Sequence, residues 1–270
     1  MAPSVLFLLF ILFVIAITLE NAEDNSLQWH YEEGLDLIGP THWYQIEGAE
    51  LCGHSQQSPI EIDPSHFRHN DTCSVPLNWT VPSTAYNFSV SHKGEDGHTI
   101  VLKHPALSQI QLHNPQHSRY KLDSLHFHWG PGHNNGSEHV FTGFVTTLEV
   151  HFVHYAQEYH SVGSAFDAWE NASRSDDPNT NDMHTLAVVG FLFEETIDSQ
   201  YDVHSDAILL ELATNTAMHS VWSNATGEAH LTFAITDLVN TVGFMDNYYY
   251  YDGSLTTPPC KFCQIAFVSD

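Results

Sequence analysis

Apolar and polar positions alternate along residues 122–130, and this alternation predicts a β-strand. Residues two apart in a strand share a face, so His126 and His128 point to one side of the sheet. The residues beside them that point the other way are all apolar: Leu125, Phe127 and Trp129. The strand therefore carries two imidazoles on one face and an apolar, aromatic surface on the other.

Residues 148–154 alternate in the same way. Glu149, His151 and Val153 share one face, and the opposite face is apolar throughout and belongs in a core: Leu148, Val150 and Phe152. If the two strands lie close in one sheet, three imidazoles converge, with the Glu149 carboxylate behind His151. Three neutral nitrogen ligands with one open position are typical of a catalytic zinc site rather than a closed structural site.

A second interpretation of these histidines stays open at the level of the residues. The chain has 21 His in 270 residues, so His-x-His pairs arise by chance. Histidines on the surface of a sheet in a His-rich secreted protein would give the same spacing. The alternation on both sides of the pair, the aromatic back face and the position of Glu149 favour the metal site.

Further short extended runs, separated by turns that contain Gly, predict a single mainly β domain over residues 23–270. The predicted strands cover residues 85–90, 99–103, 110–112, 120–129, 140–154, 185–193 and 231–235. The clearest helical signal covers residues 205–214, with Ser205 as a candidate cap. Residues 171–182 are interpreted as a polar loop.

Residues 1–22 are predicted to be a signal peptide. Residues 5–17 are apolar without a break, which suits the core of a signal peptide and is short for a membrane span, and Ala22 suits a cleavage site. No basic residue precedes the apolar run, so an uncleaved signal anchor is the alternative. Six N-glycosylation sequons also indicate the secretory route, at Asn70, Asn78, Asn87, Asn135, Asn171 and Asn224.

The net charge is −26, with 7 Lys plus Arg against 33 Asp plus Glu. Such a surface repels nucleic acid and anionic lipid, so neither is expected as a partner. Weak binding of calcium or mineral is a secondary hypothesis, because the sequence has no clustered carboxylate loop. The chain has 4 Cys, which allows one or two disulfides in an oxidising compartment.

Motifs along most of the chain resemble, in order, the signature of the α-class carbonic anhydrases of the extracellular type. The motifs are Trp29-His-Tyr31, Gln57-Ser-Pro-Ile60, Asp96-Gly-His98, His126-Phe-His-Trp-Gly130, Ser137-Glu-His139, Glu149-Val-His151 and Ser254-Leu-Thr-Thr-Pro-Pro259. An ordered series of this length is far more specific than any one motif. The resemblance implies a large, mostly antiparallel, twisted sheet with a few short peripheral helices and a zinc ion at the bottom of a conical cleft.

The resemblance also implies a set of ligands. It makes His126, His128 and His151 the zinc ligands, with Glu149 accepting a hydrogen bond from the other nitrogen of His151. Ser124 stands behind His126 where the family has Gln, so a water molecule is expected to bridge this shorter side chain to the ring. The implied reaction is the reversible hydration of carbon dioxide to bicarbonate, with water activated by zinc as the nucleophile.

Further residues acquire roles only through the resemblance. Thr256 matches the residue whose hydroxyl donates to Glu138 and orients the nucleophile, and His98 matches the proton shuttle. The expected substrate pocket consists of Val153, Val188, Leu255 and Thr257. Asp96 and Val101 stand where the family often has Asn, which leaves the water chain of the shuttle open.

The resemblance implies a disulfide between Cys52 and Cys260 and leaves Cys73 and Cys263 as free thiols or a second bridge. Family members continue past the position of Asp270, so a C-terminal part is expected to be missing, and membrane attachment and oligomeric state stay open. Ala266 and Gln264 differ from the family pattern nearby. The alternative function is a catalytically weak or inactive secreted relative that acts as a binding or mineral-matrix protein.

Overall fold

The computed structural model describes residues 29–32, 38–67, 78–93, 99–113, 118–130, 135–173, 185–194, 229–239 and 248–268. Within them, the strands are β1 (Glu61–Ile62), β2 (Asn78–Thr80), β3 (Ala85–Lys93), β4 (Thr99–Lys103), β5 (Gln111–His113), β6 (Arg119–Trp129), β7 (Val140–Phe141), β8 (Leu148–Ala156), β9 (Leu186–Phe193), β10 (Ala229–Ala234), β11 (Tyr248–Ser254) and β12 (Phe262–Val268). The α-helices are α1 (Val162–Ser173) and α2 (Ile235–Val239). Short 3₁₀ helices cover Pro40–Gln45, Glu50–Gly53, Pro64–His66 and Pro105–Gln109.

A ten-stranded sheet forms the body of the described structure. Its main path runs β10-β3-β4-β6-β8-β9-β12-β11, and β5 joins β2 to β6. Neighbouring strands are antiparallel except for β9 and β12, which are parallel. β1 and β7 form a separate parallel pair. The predicted fold class, a large and mostly antiparallel sheet with few short helices, is confirmed.

The main hydrophobic core lies on the face of the sheet opposite the histidines. Leu125 and Phe127 of β6 are opposite Phe152 and Val150 of β8, and all four are buried. Leu148 and Trp129, partly buried, pack against the same cluster. The apolar faces predicted from alternation are therefore the faces that the core covers, because burying them removes the most apolar surface from water.

A second buried apolar cluster lies on the histidine face. Its buried members are Ile62, Val153, Tyr155, Ala165, Leu186, Val188, Cys263 and Ile265. Val153 and Val188 are direct cross-strand partners on β8 and β9, and Val188 is also opposite Ile265 of β12. This cluster, called the wall cluster below, lies beside the histidines because Val153 and His151 are two apart on one strand.

Helix α1 was not predicted, although its sequence carries the signal. Val162, Ala165, Phe166 and Trp169 follow the helical spacing of one face, and Ala165 is fully buried. The side chain of Ser161 accepts a hydrogen bond from the Ser164 backbone N–H at 3.2 Å, as an N-cap does. The polar loop predicted for residues 171–182 is wrong at its start, because α1 continues to Ser173.

The remaining predictions of secondary structure need two corrections. The run 140–154 is not one strand: β7 ends at a turn where Thr142 and Gly143 have φ of 48° and 82°, and β8 begins at Leu148. Strands β1, β2, β11 and β12 were not predicted. The helix predicted for residues 205–214 and the signal peptide lie outside the described residues. In the described part of the chain, no helix has the length and hydrophobicity that a bilayer crossing requires.

Candidate metal centre

Strand register brings the three predicted ligands to one place on the sheet. His126 of β6 is directly opposite His151 of β8, and His128 is opposite Glu149. The ring centroids of His128 and His151 are 4.5 Å apart, and all three imidazoles are buried. Gly190 of β9 is opposite His151 on its other side, so no side chain from that strand crowds the ring.

Glu149 fixes the orientation of His151. It is fully buried, and its Oε2 accepts hydrogen bonds from the backbone N–H groups of Glu138 and His139, both at 2.8 Å. Its Oε1 accepts from His139 Nδ1 at 2.8 Å and from His151 Nε2. Since Nε2 of His151 carries this proton, Nδ1 is the nitrogen that bears the lone pair when the ring is neutral. The carboxylate therefore selects the tautomer that can bind a metal through Nδ1.

The charges of this pair are strongly coupled. Burial alone would raise the pKa of Glu149, but the neighbouring His139 and His151 lower that pKa well below 4.5. Burial would lower the pKa of His151, but the carboxylates of Glu149 and Glu138 raise it. Each group thus stabilises the charged form of the other.

A chain of hydrogen bonds holds His139 from behind. His139 Nδ1 donates to the Glu149 carboxylate, and in that tautomer Nε2 accepts from the Tyr251 hydroxyl at 2.6 Å. The Tyr251 oxygen then accepts from Ser58 Oγ at 2.7 Å. Gly253 packs against this point, where an added Cβ would lie 2.3 Å from Ser58 Oγ. The orientation of His151 is therefore fixed by residues from β8, β11 and the segment before β1.

His128 presents an unsatisfied nitrogen. Its Nε2 is buried and has no hydrogen-bond partner, while its Nδ1 lies 3.2 Å from the Tyr31 hydroxyl and 3.3 Å from Glu138 Oε1. Tyr31 donates to Glu138 Oε1 at 2.7 Å. A buried polar atom without a partner is costly, and a metal ion would satisfy it. The chemistry of this nitrogen, a neutral imidazole lone pair, suits zinc.

Glu138 completes a group of possible ligand atoms. His128, Glu138 and His151 each place one such atom within 4.8 Å of the others. Oε2 of Glu138 is buried without a hydrogen-bond partner and lies 3.8 Å from Nδ1 of His151. Burial would raise the pKa of Glu138, but His128 and His151 lower it. The structure thus places His128, His151 and an ionised carboxylate around one point.

His126 is held differently. Ser124 Oγ lies 3.1 Å from His126 Nε2, a direct contact without the bridging water that the shorter side chain had suggested. His126 is not part of the ligand-atom group, although it faces His151 across the ladder. Val101 of β4 is opposite His126 on its other side and is buried. The role of His126 as a zinc ligand therefore stays a prediction, which the strand register supports.

The loop between β11 and β12, residues 255–261, carries Thr256 and Thr257. Leu255 N–H donates to Lys261 O at 2.8 Å, and Cys260 N–H donates to Thr257 O at 2.9 Å. Both threonines are buried, and Leu255 packs against the wall cluster together with Val153 and Val188. Neither Thr256 nor any other described residue hydrogen-bonds to Glu138 Oε2. The role of Thr256 as a donor to Glu138 stays a prediction.

Comparison with known proteins bears on the whole of this arrangement. A family model described as eukaryotic-type carbonic anhydrase matches residues 38–268. The chain belongs to this family. It is 33% identical over 260 residues to carbonic anhydrase 15 of Mus musculus, covering 93% of this chain and 71% of that protein. The resemblance read from the ordered motifs is confirmed.

Other relatives agree. The chain is 30% identical to carbonic anhydrase 6 of Homo sapiens over 235 residues, covering 86% of this chain and 66% of the relative. It is 31% identical to carbonic anhydrase 12 of Homo sapiens over 242 residues, covering 88% of this chain and 58% of that protein. The chain thus spans between 58% and 71% of the length of these three carbonic anhydrases.

The predicted disulfide between Cys52 and Cys260 is confirmed, with a Cα–Cα distance of 5.0 Å. Cys263 is a free, buried thiol, so the alternative of a second bridge through it is wrong. Cys73 lies outside the described residues, as do the predicted shuttle His98 and the neighbouring Asp96. The role of His98 stays a prediction.

Four residues that hold the site together had no role in the sequence-based interpretation: Tyr31, Ser58, His139 and Tyr251. The first three lie in motifs that carried the family resemblance, so a signal existed without a function attached to it. Tyr251 lies in a run of four tyrosines in which no position stands out. Only the tertiary contacts distinguish it from its neighbours.

Proposed function

We propose that this chain catalyses the zinc-dependent, reversible hydration of carbon dioxide to bicarbonate and a proton. One observation carries the proposal: a buried, unpartnered His128 Nε2 lies beside His151, whose Nε2 is bonded to Glu149, so that Nδ1 is the nitrogen that the neutral ring would offer to a metal. Membership of the carbonic anhydrase family supports it. We assign zinc binding to His126, His128 and His151, in accord with their shared face of the sheet.

Zinc held by three neutral imidazoles would keep its full charge and act as a Lewis acid that makes water a nucleophile near neutral pH. The chain contributes orientation around that nucleophile. Glu149 would keep the His151 lone pair directed at a bound metal, and Ser124 would restrain the His126 ring. The Thr256 hydroxyl would donate its proton to Glu138, so that its oxygen would be left to accept a hydrogen bond from the attacking group and orient it.

Carbon dioxide is small and apolar, so it needs a dry surface next to the nucleophile. We assign this role to Val153, Val188, Leu255 and Thr257, which are buried or half-buried beside the histidines. We assign the transfer of the released proton to His98, because a histidine exchanges protons with buffer near neutral pH.

We also propose that the protein follows the secretory route and is glycosylated. The disulfide between Cys52 and Cys260 supports an oxidising compartment, because the cytosol keeps such thiols reduced. The apolar run near the N-terminus and the six sequons point the same way.

Carbon dioxide hydration and zinc content, measured on one preparation, test the function. The wild type is expected to bind one zinc ion per chain and to be active, and His128→Ala is expected to lose both properties. His66→Ala is a matched control, because His66 is exposed in a 3₁₀ turn away from the sheet histidines. Stoichiometric zinc without hydration activity would sink the enzyme proposal and favour a binding protein, and absence of zinc from the wild type would refute the site.

A further inference from the structure

Lys261 is a buried cation in a chain that has few cations. The sequence holds only 7 Lys plus Arg, yet this lysine is 9% exposed at the end of the loop that carries Thr256. A buried ammonium is costly unless it is paired. The groups that contact the Lys261 ammonium therefore indicate which parts of the structure this side chain connects.

Both partners of Lys261 belong to helix α1. Its ammonium forms an ion pair with Glu170 and lies 4.5 Å from the ring centroid of Phe166. Phe166 and Glu170 are four residues apart, so they share one face of the helix. The ammonium is therefore enclosed between an aromatic face and a carboxylate of the same helix. Trp169, on the adjacent turn, lies 5.6 Å from the ring of Phe262, which follows Lys261.

The helix and the loop meet at the wall cluster. Phe166 and Leu255 both pack against that cluster, whose buried members include Val153 and Val188. Lys261 also closes the loop, since its carbonyl accepts from Leu255 N–H. One residue thus joins the loop of Thr256, helix α1 and the apolar surface assigned to carbon dioxide.

We propose that Lys261 is a positioning residue, which docks helix α1 on loop 255–261 through Glu170 and Phe166 and so fixes the wall cluster and Thr256. The proposal deepens the proposed function and rests on it for its kinetic consequence, while its structural consequence stands alone. A neutral aliphatic side chain could fill the same space. The charge additionally fixes the position of helix α1 relative to the loop, because the ammonium is stabilised only where the Phe166 ring and the Glu170 carboxylate both face it.

The two partners of this ion pair differ in exposure, and this difference makes the proposal specific. The Lys261 side chain is 11% exposed and that of Glu170 is 40% exposed. Glu170→Gln leaves the ammonium buried and unpaired, whereas Lys261→Met leaves a carboxylate that water can reach. We therefore expect Glu170→Gln to perturb the loop more than Lys261→Met does. The double variant should behave like Lys261→Met alone.

Amide hydrogen exchange of the zinc-loaded protein tests the docking without relying on activity. The amides of Leu255 and Cys260 should exchange about tenfold faster in Glu170→Gln, a change of about 1.4 kcal/mol, and about threefold faster in Lys261→Met. Lys261→Arg should keep the wild-type rates. Lys103→Met is the control, because Lys103 lies on β4 and its ion-pair partner, Asp123 at 3.2 Å, lies on β6, so neither belongs to the loop or to helix α1.

Kinetics connect the docking to the site. If the wild type hydrates carbon dioxide, Lys261→Met should raise KM about threefold at unchanged zinc content, since a displaced wall weakens substrate binding. Unchanged exchange of Leu255 and Cys260 in both Lys261→Met and Glu170→Gln would overturn the proposal, as would equal effects in Lys103→Met. If Glu170→Gln fails to fold, the test is the comparison of amide exchange at Leu255 and Cys260 between Lys261→Met and Lys261→Arg, and equal rates in these two variants would overturn the proposal. Absence of wild-type activity would refute the proposed function. The docking of helix α1 on the loop would then still be tested by amide hydrogen exchange.

Discussion

Replacing Glu149 with Gln would test how the tautomer of His151 is selected. The carboxylate accepts four N–H groups, two at each oxygen. An amide offers one oxygen and one NH₂ group, so two of the four donors would face another donor. The backbone N–H groups of Glu138 and His139 cannot change, whereas imidazoles can move their proton. The amide oxygen should therefore face the backbone, and the NH₂ group should face the two rings.

The expected consequence is a reversed tautomer. To accept from the NH₂ group, His151 must leave Nε2 bare and carry its proton on Nδ1, the atom assigned to zinc. Metal binding would then require the tautomer to switch back, at the loss of a buried hydrogen bond of about 1–3 kcal/mol. This agrees with the 10- to 100-fold weaker metal binding that is typical, roughly, when such an outer partner is lost.

Competition with a zinc chelator at pH 7 would measure this change. We expect Glu149→Gln to raise the zinc Kd about 10- to 100-fold, and Glu158→Gln, an exposed carboxylate in the turn after β8, to leave it unchanged. Because the pKa of Glu149 lies well below 4.5, its stabilising effect in the metal-free protein is present above that pH and is lost as pH falls. The acid dependence of unfolding should accordingly be shallower in the variant. Wild-type zinc affinity in Glu149→Gln would refute the tautomer argument.

Three further predictions concern single residues or one pair. Burial lowers the pKa of His154 from 6.5 to about 3, so the folded protein loses stability as pH falls below 6.5, because only the unfolded chain then takes up the proton. Urea unfolding at pH 7 and pH 5 should therefore show about 2 kcal/mol less pH dependence in His154→Phe than in wild type. Cys52→Ser with Cys260→Ser should lower the free energy of unfolding by about 5 kcal/mol, read from urea curves, since the bridge closes a separation of 208 residues; equal stability of reduced and oxidised wild type would contradict this. Ser124→Ala should weaken zinc binding up to about tenfold in the same chelator assay, and an unchanged Kd would show that the contact with His126 does not orient the ring.

Local patterns predicted the elements on which the site is built. Alternation assigned His126 and His128 to one face and Leu125 and Phe127 to the other, and the structure buries those two faces as expected. This worked because a strand has a period of two, which neighbouring residues alone determine. Helix α1 carried an equally local signal that was missed. Strands β11 and β12 carried a weaker local signal, since apolar and polar residues do not alternate clearly in either strand.

Contacts between distant segments lay beyond the sequence. Tyr31 and Glu138 are 107 residues apart, and Ser58 and Tyr251 are 193 apart. The family motifs contain Tyr31 and Ser58, but no pattern within a segment says which distant side chain each of them contacts. Their partners are decided by which backbones the sheet brings together, which depends on burial summed over many residues.

The sequence by itself determined which residues share a face, the family, and the identity of the cysteine pair through that family. The tertiary structure decided the register that puts His126 opposite His151, and a slip of one residue would turn every side chain of that strand to the wrong face. It also decided that Glu149 has four donors and that Lys261 lies between Phe166 and Glu170. Alternation is a property of one strand, whereas register and pairing are properties of the packed sheet.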